Sequence, residues 1–443
     1  MRFLLQIKRF AIRVIKPPFK EIGSFVYRYV FSRAVNSIFI RGIIYRQVQY
    51  SHRILRRNYR IGEKIVIVFI FQSPSFWPSW ESLWSAVSND ARYEAHMLVC
   101  DDEIKEKVQF TRAREFLTEK NIPFRGVHDI HLKDLHPHIV VLHTPYDGGH
   151  RPRFLHGDVL KAAGYRTVYI TYGIEISDSD KARSDHFLGK AVQTLWRGFT
   201  FSPLMISEYN SRMLTNNDAI RSLGHPKFDS FHASYPKPSL PESIASAAGD
   251  RPIILWKVHF PKRVFGKQIT PEIEEYLKFI DWLKTQDNLF FVFMPHPKFF
   301  AELQQFSDVE VFKAALASCK NLVTYDGDDY RSALQNVDFI ITDRSAIMIE
   351  AALTEKPILY VQNDKYKEPL TPPVQRLVDT YYSADGCADM IGHIQDVFIK
   401  NDDYKRESRL QAIAEVLVMD DTPSGRRIAD HLYQAMNEEA DYS

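Results

Sequence analysis

Residues Val337 to Tyr360 read Val-Asp-Phe-Ile-Ile-Thr-Asp-Arg-Ser-Ala-Ile-Met-Ile-Glu-Ala-Ala-Leu-Thr-Glu-Lys-Pro-Ile-Leu-Tyr. Phe339 to Thr342 is a short apolar run of the kind that forms a buried parallel strand. Asp343-Arg344-Ser345 breaks it before a helical segment that ends near Glu355. A strand, a polar turn and a helix place Ser345 at a helix N-cap. There, unpaired backbone N–H groups and the positive end of the helix dipole face whatever lies above the strand's carboxyl end. A phosphate fits such a position. The plainer reading is that Ser345 only caps its helix and Asp343 only closes the turn.

At 443 residues the chain is too long for one ordinary core, which points to two domains and an appendage. With 45% apolar and 25% charged residues it has the composition of a folded protein. Its cysteines, Cys100, Cys319 and Cys387, lie far apart, with no spacing that suggests a zinc site or a disulfide framework. That pattern fits a reducing cytosol.

The net charge of +2 conceals a segregation along the chain. Residues 1–60 hold 14 Lys or Arg against one acid, Glu21, a net +13, while the remainder carries 43 against 54, a net −11. Phe3, Leu4, Ile7, Phe10, Val14 and Ile15 recur at helical spacing among Lys8, Arg9, Arg13 and Lys16, until Pro17-Pro18 interrupts. In the second amphipathic stretch, Arg28, Arg33 and Arg41 leave no uncharged run of the roughly 20 residues that a membrane-spanning helix needs. This leader is read as a segment lying on an anionic membrane surface, which places the protein peripherally on the cytoplasmic face. A transit peptide, a nucleic-acid arm and a helical pair packed on the body are its rivals. No nucleic-acid partner is expected.

From Lys64 onward, short apolar runs alternate with helical stretches. Ile65–Phe71, Ala95–Cys100, Ile139–Leu142, Thr167–Thr171 and Phe199–Phe201 read as strands. The Pro/Ser/Ala-rich stretch from Tyr235 to Asp250 reads as a linker. A second series then follows at Ile253–Trp256, Phe290–Met294, Asn321–Thr324, Phe339–Thr342 and Ile358–Val361. The expected fold class is α/β, two doubly wound parallel-sheet domains facing a cleft. The divisions are 1–60 basic leader, 61–235 acceptor-side domain, 236–250 linker, 251–400 nucleotide-binding domain and 401–443 C-terminal helices.

Open parallel sheets bind ligands at the carboxyl ends of their strands, and polar residues gather there in this sequence. The second half supplies Lys257 and His259, then His296 and Lys298, then Tyr325 and Asp326, then Asp343, Arg344 and Ser345. The first half supplies Gln72 and Ser73, the loop from His143 to His150 that contains Asp147, and Tyr172 to Glu175. The cations and donors of the second half suit the phosphates of a nucleotide diphosphate. The blander readings are a strand-capping His296 and solvated Lys257 and Lys298. No Gly-rich P-loop or dinucleotide fingerprint is present.

His296-Pro297 after an apolar strand, then Asp338-Phe-Ile-Ile-Thr-Asp343-Arg-Ser345 and Lys356-Pro357-Ile358, resembles the C-terminal half of the CDP-glycerol glycerophosphotransferase family of teichoic acid and capsule synthesis. Gly224-His225-Pro226-Lys227-Phe228-Asp229 is similar to that family's Gly-x-Pro-Arg-x-Asp segment. The resemblance implies a GT-B fold with the nucleotide held mainly by the C-terminal domain, and with His296, Ser345 and neighbouring Asp343 at the CDP-linked phosphates.

Two departures stand out. Asp343-Arg344-Ser345-Ala346 occupies the place of Asp-Tyr-Ser-Ser. Thr171-Tyr172-Gly173-Ile174, followed by Glu175, occupies the place of Trp-His-Gly-Thr, so the family's histidine base is missing. Glu175 is the leading replacement base, with His143, Asp147 and His150 as alternatives. The plainer reading of Glu175 is a salt bridge to Arg151 or Arg153.

The expected activity is transfer of an alcohol phosphate from a CDP-activated donor to a hydroxyl of a lipid-linked or growing surface polymer. A nucleotide-sugar glycosyltransferase and a non-catalytic membrane-bound scaffold are the alternatives. No metal ligand set is read and no cofactor is required, although a divalent cation is compatible with the site.

Overall fold

The computed structural model describes residues 59–100, 112–179, 182–183, 186–213, 218–264, 267–268, 270–325, 327, 329–363, 365 and 369–441. The leader up to residue 58 and Asp326 lie outside the described residues. Seven parallel strands form the first sheet: β1 (Ile65–Phe71), β2 (Tyr93–Val99), β3 (Phe124–Gly126), β4 (Ile139–Leu142), β5 (Arg166–Ile170), β6 (Arg197–Thr200) and β7 (Ile220–Ser222). Their order across the sheet is β3-β2-β1-β4-β5-β6-β7.

The second sheet contains β8 (Ile253–Val258), then, after a small hairpin of β9 (Arg263–Val264) and β10 (Lys267–Gln268), the strands β11 (Phe290–Pro295), β12 (Leu322–Thr324), β13 (Phe339–Thr342), β14 (Ile358–Val361) and β15 (Tyr382–Ala384). Its order, β12-β11-β8-β13-β14-β15, reverses at β8, as the first sheet reverses at β1. Both sheets are covered by helices on two faces, so central strands such as Ile65–Phe71 and Phe339–Thr342 are apolar at nearly every position.

β8 sits between β11 and β13, with Lys257 level with Met294 on one side and Thr342 on the other. This register brings the loops after β8, β11 and β13 together on one rim. In the first sheet, the loops after β1, β4 and β5 are brought together in the same way.

Besides a cluster of the first sheet alone, built on Val68, Ile70, Val140 and Leu142, three larger buried clusters hold the described residues together. One is internal to the second sheet. A second joins both domains, packing Phe201, Phe228 and Tyr169 with Leu255, Leu334 and Ile340. The stretch read as a linker contributes to this joint: it contains the helix Glu242–Ala248, whose Ile244 and Ala248 are buried in the shared cluster. It is therefore a folded element rather than a loose connection.

The third cluster completes the first domain with distant sequence. The C-terminal helix Ser424–Asp441 places Ile428, Leu432 and Met436 against Phe69, Trp80 and Leu83. Tyr93 Oη donates to the Ala429 carbonyl, and Arg166 pairs with Glu439 at 3.0 Å. Asp229 accepts from the N–H groups of Ser424 (2.7 Å) and Gly425 (2.9 Å), a charged cap on that helix. Gly224 has φ +79°, and a Cβ there would lie 2.4 Å from Ser424 Oγ and 2.7 Å from the Val418 carbonyl. The Gly224–Asp229 motif is thus a clasp for the chain's return to the first domain. Gly224→Ala is expected to lower the unfolding free energy by about 2 kcal/mol or more through backbone strain and collision. Asp229→Ala is expected to cost about 2 kcal/mol. Urea unfolding checks both, and wild-type midpoints for the two variants would remove the clasp.

Candidate active site

On the second domain, Asp343 follows β13 and is 1% exposed. Its carboxylate accepts from the His259 backbone N–H at 2.7 and 2.9 Å and from Tyr276 Oη at 2.9 Å. Burial pushes its pKa up to about 6, against the pull of nearby Lys257. Lys257 is buried too and donates to the Val258 carbonyl at 3.0 Å; burial takes its pKa down to about 8, opposed by Asp343. The two side chains make no direct ion pair, but each feels the other's charge, and each bonds the backbone of the loop after β8. Their polar atoms are occupied by protein.

The two histidines lie with rings 5.0 Å apart. His296 Nδ1 accepts from the Lys298 backbone N–H at 3.1 Å, so in the neutral ring the proton is on Nε2. Burial first, then the charges of Lys257 and Lys298, lowers the His296 pKa to about 3. His259 has the opposite tautomer. Its Nδ1 faces the Phe260 carbonyl at 2.9 Å, an atom that can only accept, which leaves Nε2 as an acceptor. Burial, then His296 and Arg344, keeps His259 well below its usual pKa. The half-buried pair is therefore neutral near pH 7, one ring a donor at Nε2 and the other an acceptor. Formal positive charge on the rim comes from half-buried Lys298 and Arg344.

Ser345 differs from expectation. The helix after it runs Ile347–Ala352, with Ala346 at the N-cap position and no side-chain cap bond. The Ser345 carbonyl accepts from Met348 N–H at 3.1 Å, so Ser345 precedes the helix rather than capping it. A helix of six residues also supplies little dipole. Glu350 of this helix pairs with Lys227 of the clasp at 3.7 Å and accepts from Tyr330 Oη, which ties the Asp343–Ser345 turn to the first domain.

The four candidate bases do not share one constellation. Glu175 is 1% exposed; one carboxylate oxygen accepts from Tyr209 Oη and the other has no hydrogen-bond partner. Burial raises its pKa to about 7, opposed by Tyr209. The salt bridge to Arg151 or Arg153 is absent because Arg151 pairs with Asp147 (3.1 Å) and Arg153 with Asp158 (2.5 Å). A segment of the second domain runs along the backbone here: Thr371 Oγ1 donates to the Glu175 carbonyl at 2.8 Å and Asp178 N–H to the Pro369 carbonyl at 2.8 Å.

His143 is enclosed by Trp80, stacked at 3.2 Å between ring centroids, and by Phe71 and Phe76; burial holds its pKa well below the usual value. Asp147 is engaged by Arg151 and by the Gly157 N–H. His150 accepts from Gln72 through its carbonyl, and its ring lies 4.8 Å from Tyr146. Asp147, His156 and Asp158 have ligand atoms within 4.8 Å of one another, but Arg151, Arg153 and Lys190 already neutralise the acids. A cation would have to displace those partners.

Sequence reasoning missed Tyr209, Tyr276 and Thr371, which lie far from the residues they hold. It also missed that His-Pro-Lys occurs twice, at 225–227 and 296–298, with the same bond from the lysine N–H to the histidine Nδ1. That repetition was readable. His225 is the buried member; its Nε2 donates to the Thr171 carbonyl at 2.7 Å, fixing the end of β5.

Residues 200–433, more than half of the chain, match the family described as CDP-glycerol:poly(glycerophosphate) glycerophosphotransferase. The chain belongs to this family. The matched span includes every second-domain candidate residue named above and begins after all four candidate bases. No curated protein matches this glycerophosphotransferase-family chain in sequence. Among solved structures, the wall teichoic acid polymerase TagF is similar with a TM-score of 0.58 and 10% identity, over 92% of this chain and 97% of that one. S. aureus MnaA bound to UDP is similar with a TM-score of 0.57 and 15% identity, over 85% and 97%. The UDP-GlcNAc 2-epimerase of Neisseria meningitidis has a TM-score of 0.56 and 12% identity, over 84% and 100%. The fold is GT-B-like, two parallel-sheet α/β domains, and the family is one of transferases. No helix among the described residues is long and apolar enough to cross a membrane.

Proposed function

We propose that the chain transfers an alcohol phosphate from a CDP-activated donor to a hydroxyl of a lipid-linked or growing surface polymer, with CMP leaving. The observation that carries this reading is the rim where the loops after β8, β11 and β13 meet. It combines the neutral donor His296, the cations Lys298 and Arg344 and the turn before Ser345 at the edge of a scaffold that Asp343 holds through the His259 N–H and Tyr276. His296 Nε2–H and the two cations contact the donor phosphates. Asp343 and Lys257 act as positioning residues, and His259 Nε2 accepts from a ligand hydroxyl. Positioning and charge neutralisation dominate such a transfer, and these side chains supply the positive charge without a metal. Glu175 is the general base, since a buried carboxyl with a pKa near 7 and one unbonded oxygen suits proton abstraction from an alcohol. Glu175 is 1% exposed, so an acceptor reaches its carboxyl only in a conformation more open than this one.

Purified protein incubated with CDP-glycerol, CDP-ribitol and a panel of nucleotide sugars is expected to release CMP from a CDP-alcohol. Release of UDP or GDP from a sugar would establish the nucleotide-sugar reading, which the missing family histidine at Tyr172 favours. The basic leader attaches the enzyme peripherally to the cytoplasmic membrane face. The full chain should co-sediment with anionic vesicles at low ionic strength and dissociate at high salt; salt-independent binding would exclude an electrostatic anchor.

A further inference from the structure

Outside the donor rim, a groove of about 670 Å³ lies where the two domains meet. One wall is a single face of the helix Glu81–Ser88, with Glu81, Trp84, Ser85 and Ser88 at helical spacing. Tyr235 and Lys237 form another wall, and Asp329 and Arg331 of the second domain complete it. Trp77 also lines the groove; it is 3% exposed, and its indole N–H has no hydrogen-bond partner. Half-exposed Trp84 is held edge-to-face by Phe69 at 5.4 Å. The Trp77 N–H is itself buried, so what Trp77 offers the groove is the edge of its ring.

The charges around this groove neutralise one another. Arg331 pairs with Glu81 and Asp329, each at 2.6 Å, and Lys120 lies 3.6 Å from Glu81. Ser88 and Asn89 already donate to the Trp84 and Ser85 carbonyls at 2.7 and 2.9 Å, which leaves aromatic surface, the Ser85 hydroxyl and the Asn121 amide for a ligand. We infer that the groove binds a neutral carbohydrate chain, whose apolar ring faces pack on tryptophan and tyrosine while its hydroxyls bond the polar lining. A phosphate-rich chain would meet no surplus positive charge beyond Lys237. The helix Glu81–Ser88 begins on the side of the β1 carboxyl end and runs back along the sheet, so the groove leads from the cleft side toward the opposite edge of the first domain. A polymer leaving the active site would follow that course. The inference does not depend on which group is transferred.

The full-length protein titrated calorimetrically with chitotetraose, maltotetraose and a glycerol phosphate oligomer tests this. A neutral oligosaccharide is expected to bind with salt-independent affinity. Trp84→Ala and Tyr235→Ala should each weaken that binding by on the order of tenfold. Trp84→Phe should retain it, with nucleotide release from the donor unchanged in all three variants. Absence of neutral-sugar binding, sugar binding that survives both alanine variants, or salt-dependent binding of the glycerol phosphate oligomer that both variants weaken would each overturn the inference.

Discussion

His296→Ala is expected to reduce kcat/KM for transfer by on the order of 10²- to 10³-fold, the usual consequence of deleting one preorganised donor at a site of developing charge. The reason lies in the tautomer. The Lys298 backbone N–H occupies Nδ1, which commits the neutral ring's proton to Nε2. Burial and two lysine charges hold the pKa to about 3, so His296 stays a neutral donor across the physiological range, and its contribution should not titrate near pH 6 to 7. His296 is half-buried at a strand end, so the thermal midpoint should change little. His296→Gln, which keeps an N–H donor, should recover part of the rate. A fully active alanine variant would exclude this role, and a loss matched by unfolding would reassign His296 to stability.

Glu175→Gln should have two effects of opposite direction. As the proposed base, Glu175 should account for roughly 10²- to 10⁴-fold of the rate. Its pKa rises from 4.5 in the unfolded chain to about 7 in the fold. Between those values the folded state holds a proton that the unfolded state has lost, so stability falls as pH rises through this window. The stabilisation is complete below about pH 4.5 and gone above about pH 7, a change of roughly 3 kcal/mol. Glutamine cannot ionise, so the variant should be less active yet more stable than wild type at pH 8, and similar at pH 4. Urea unfolding at the two pH values decides the matter. Parallel pH profiles for the two proteins would mean that Glu175 is not the buried acid assigned here.

The central strands were readable because a strand covered on both faces is a continuous apolar run between polar turns. β1, β4, β13 and β14 begin and end where those runs do. Of the four three-residue strands, β12 was read as Asn321–Thr324, while β3, β7 and β15 were not found. They lie at sheet edges, where half the environment is lost and the apolar signal with it. The clustering of polar residues at strand ends was also readable, since topology alone brings those loops together. What each residue does there was not. Asp343 is a scaffold because Tyr276 and the His259 N–H reach it from 67 and 84 positions away. Ser345 lost its capping role because the helix starts later than the residue pattern implies. Separations of that size leave no local trace in sequence.

The C-terminal helix has a consequence for how the protein is made. The second domain's own cluster draws on residues between Ile254 and Val397, whereas the first domain's core is closed by Ile428, Leu432 and Met436. During synthesis the half made first therefore cannot finish folding until the ribosome has released nearly the whole chain, while the half made second can. Premature termination near residue 417 would leave a folded second domain attached to a first domain with Phe69, Trp80 and Leu83 uncovered, a species prone to aggregation and proteolysis.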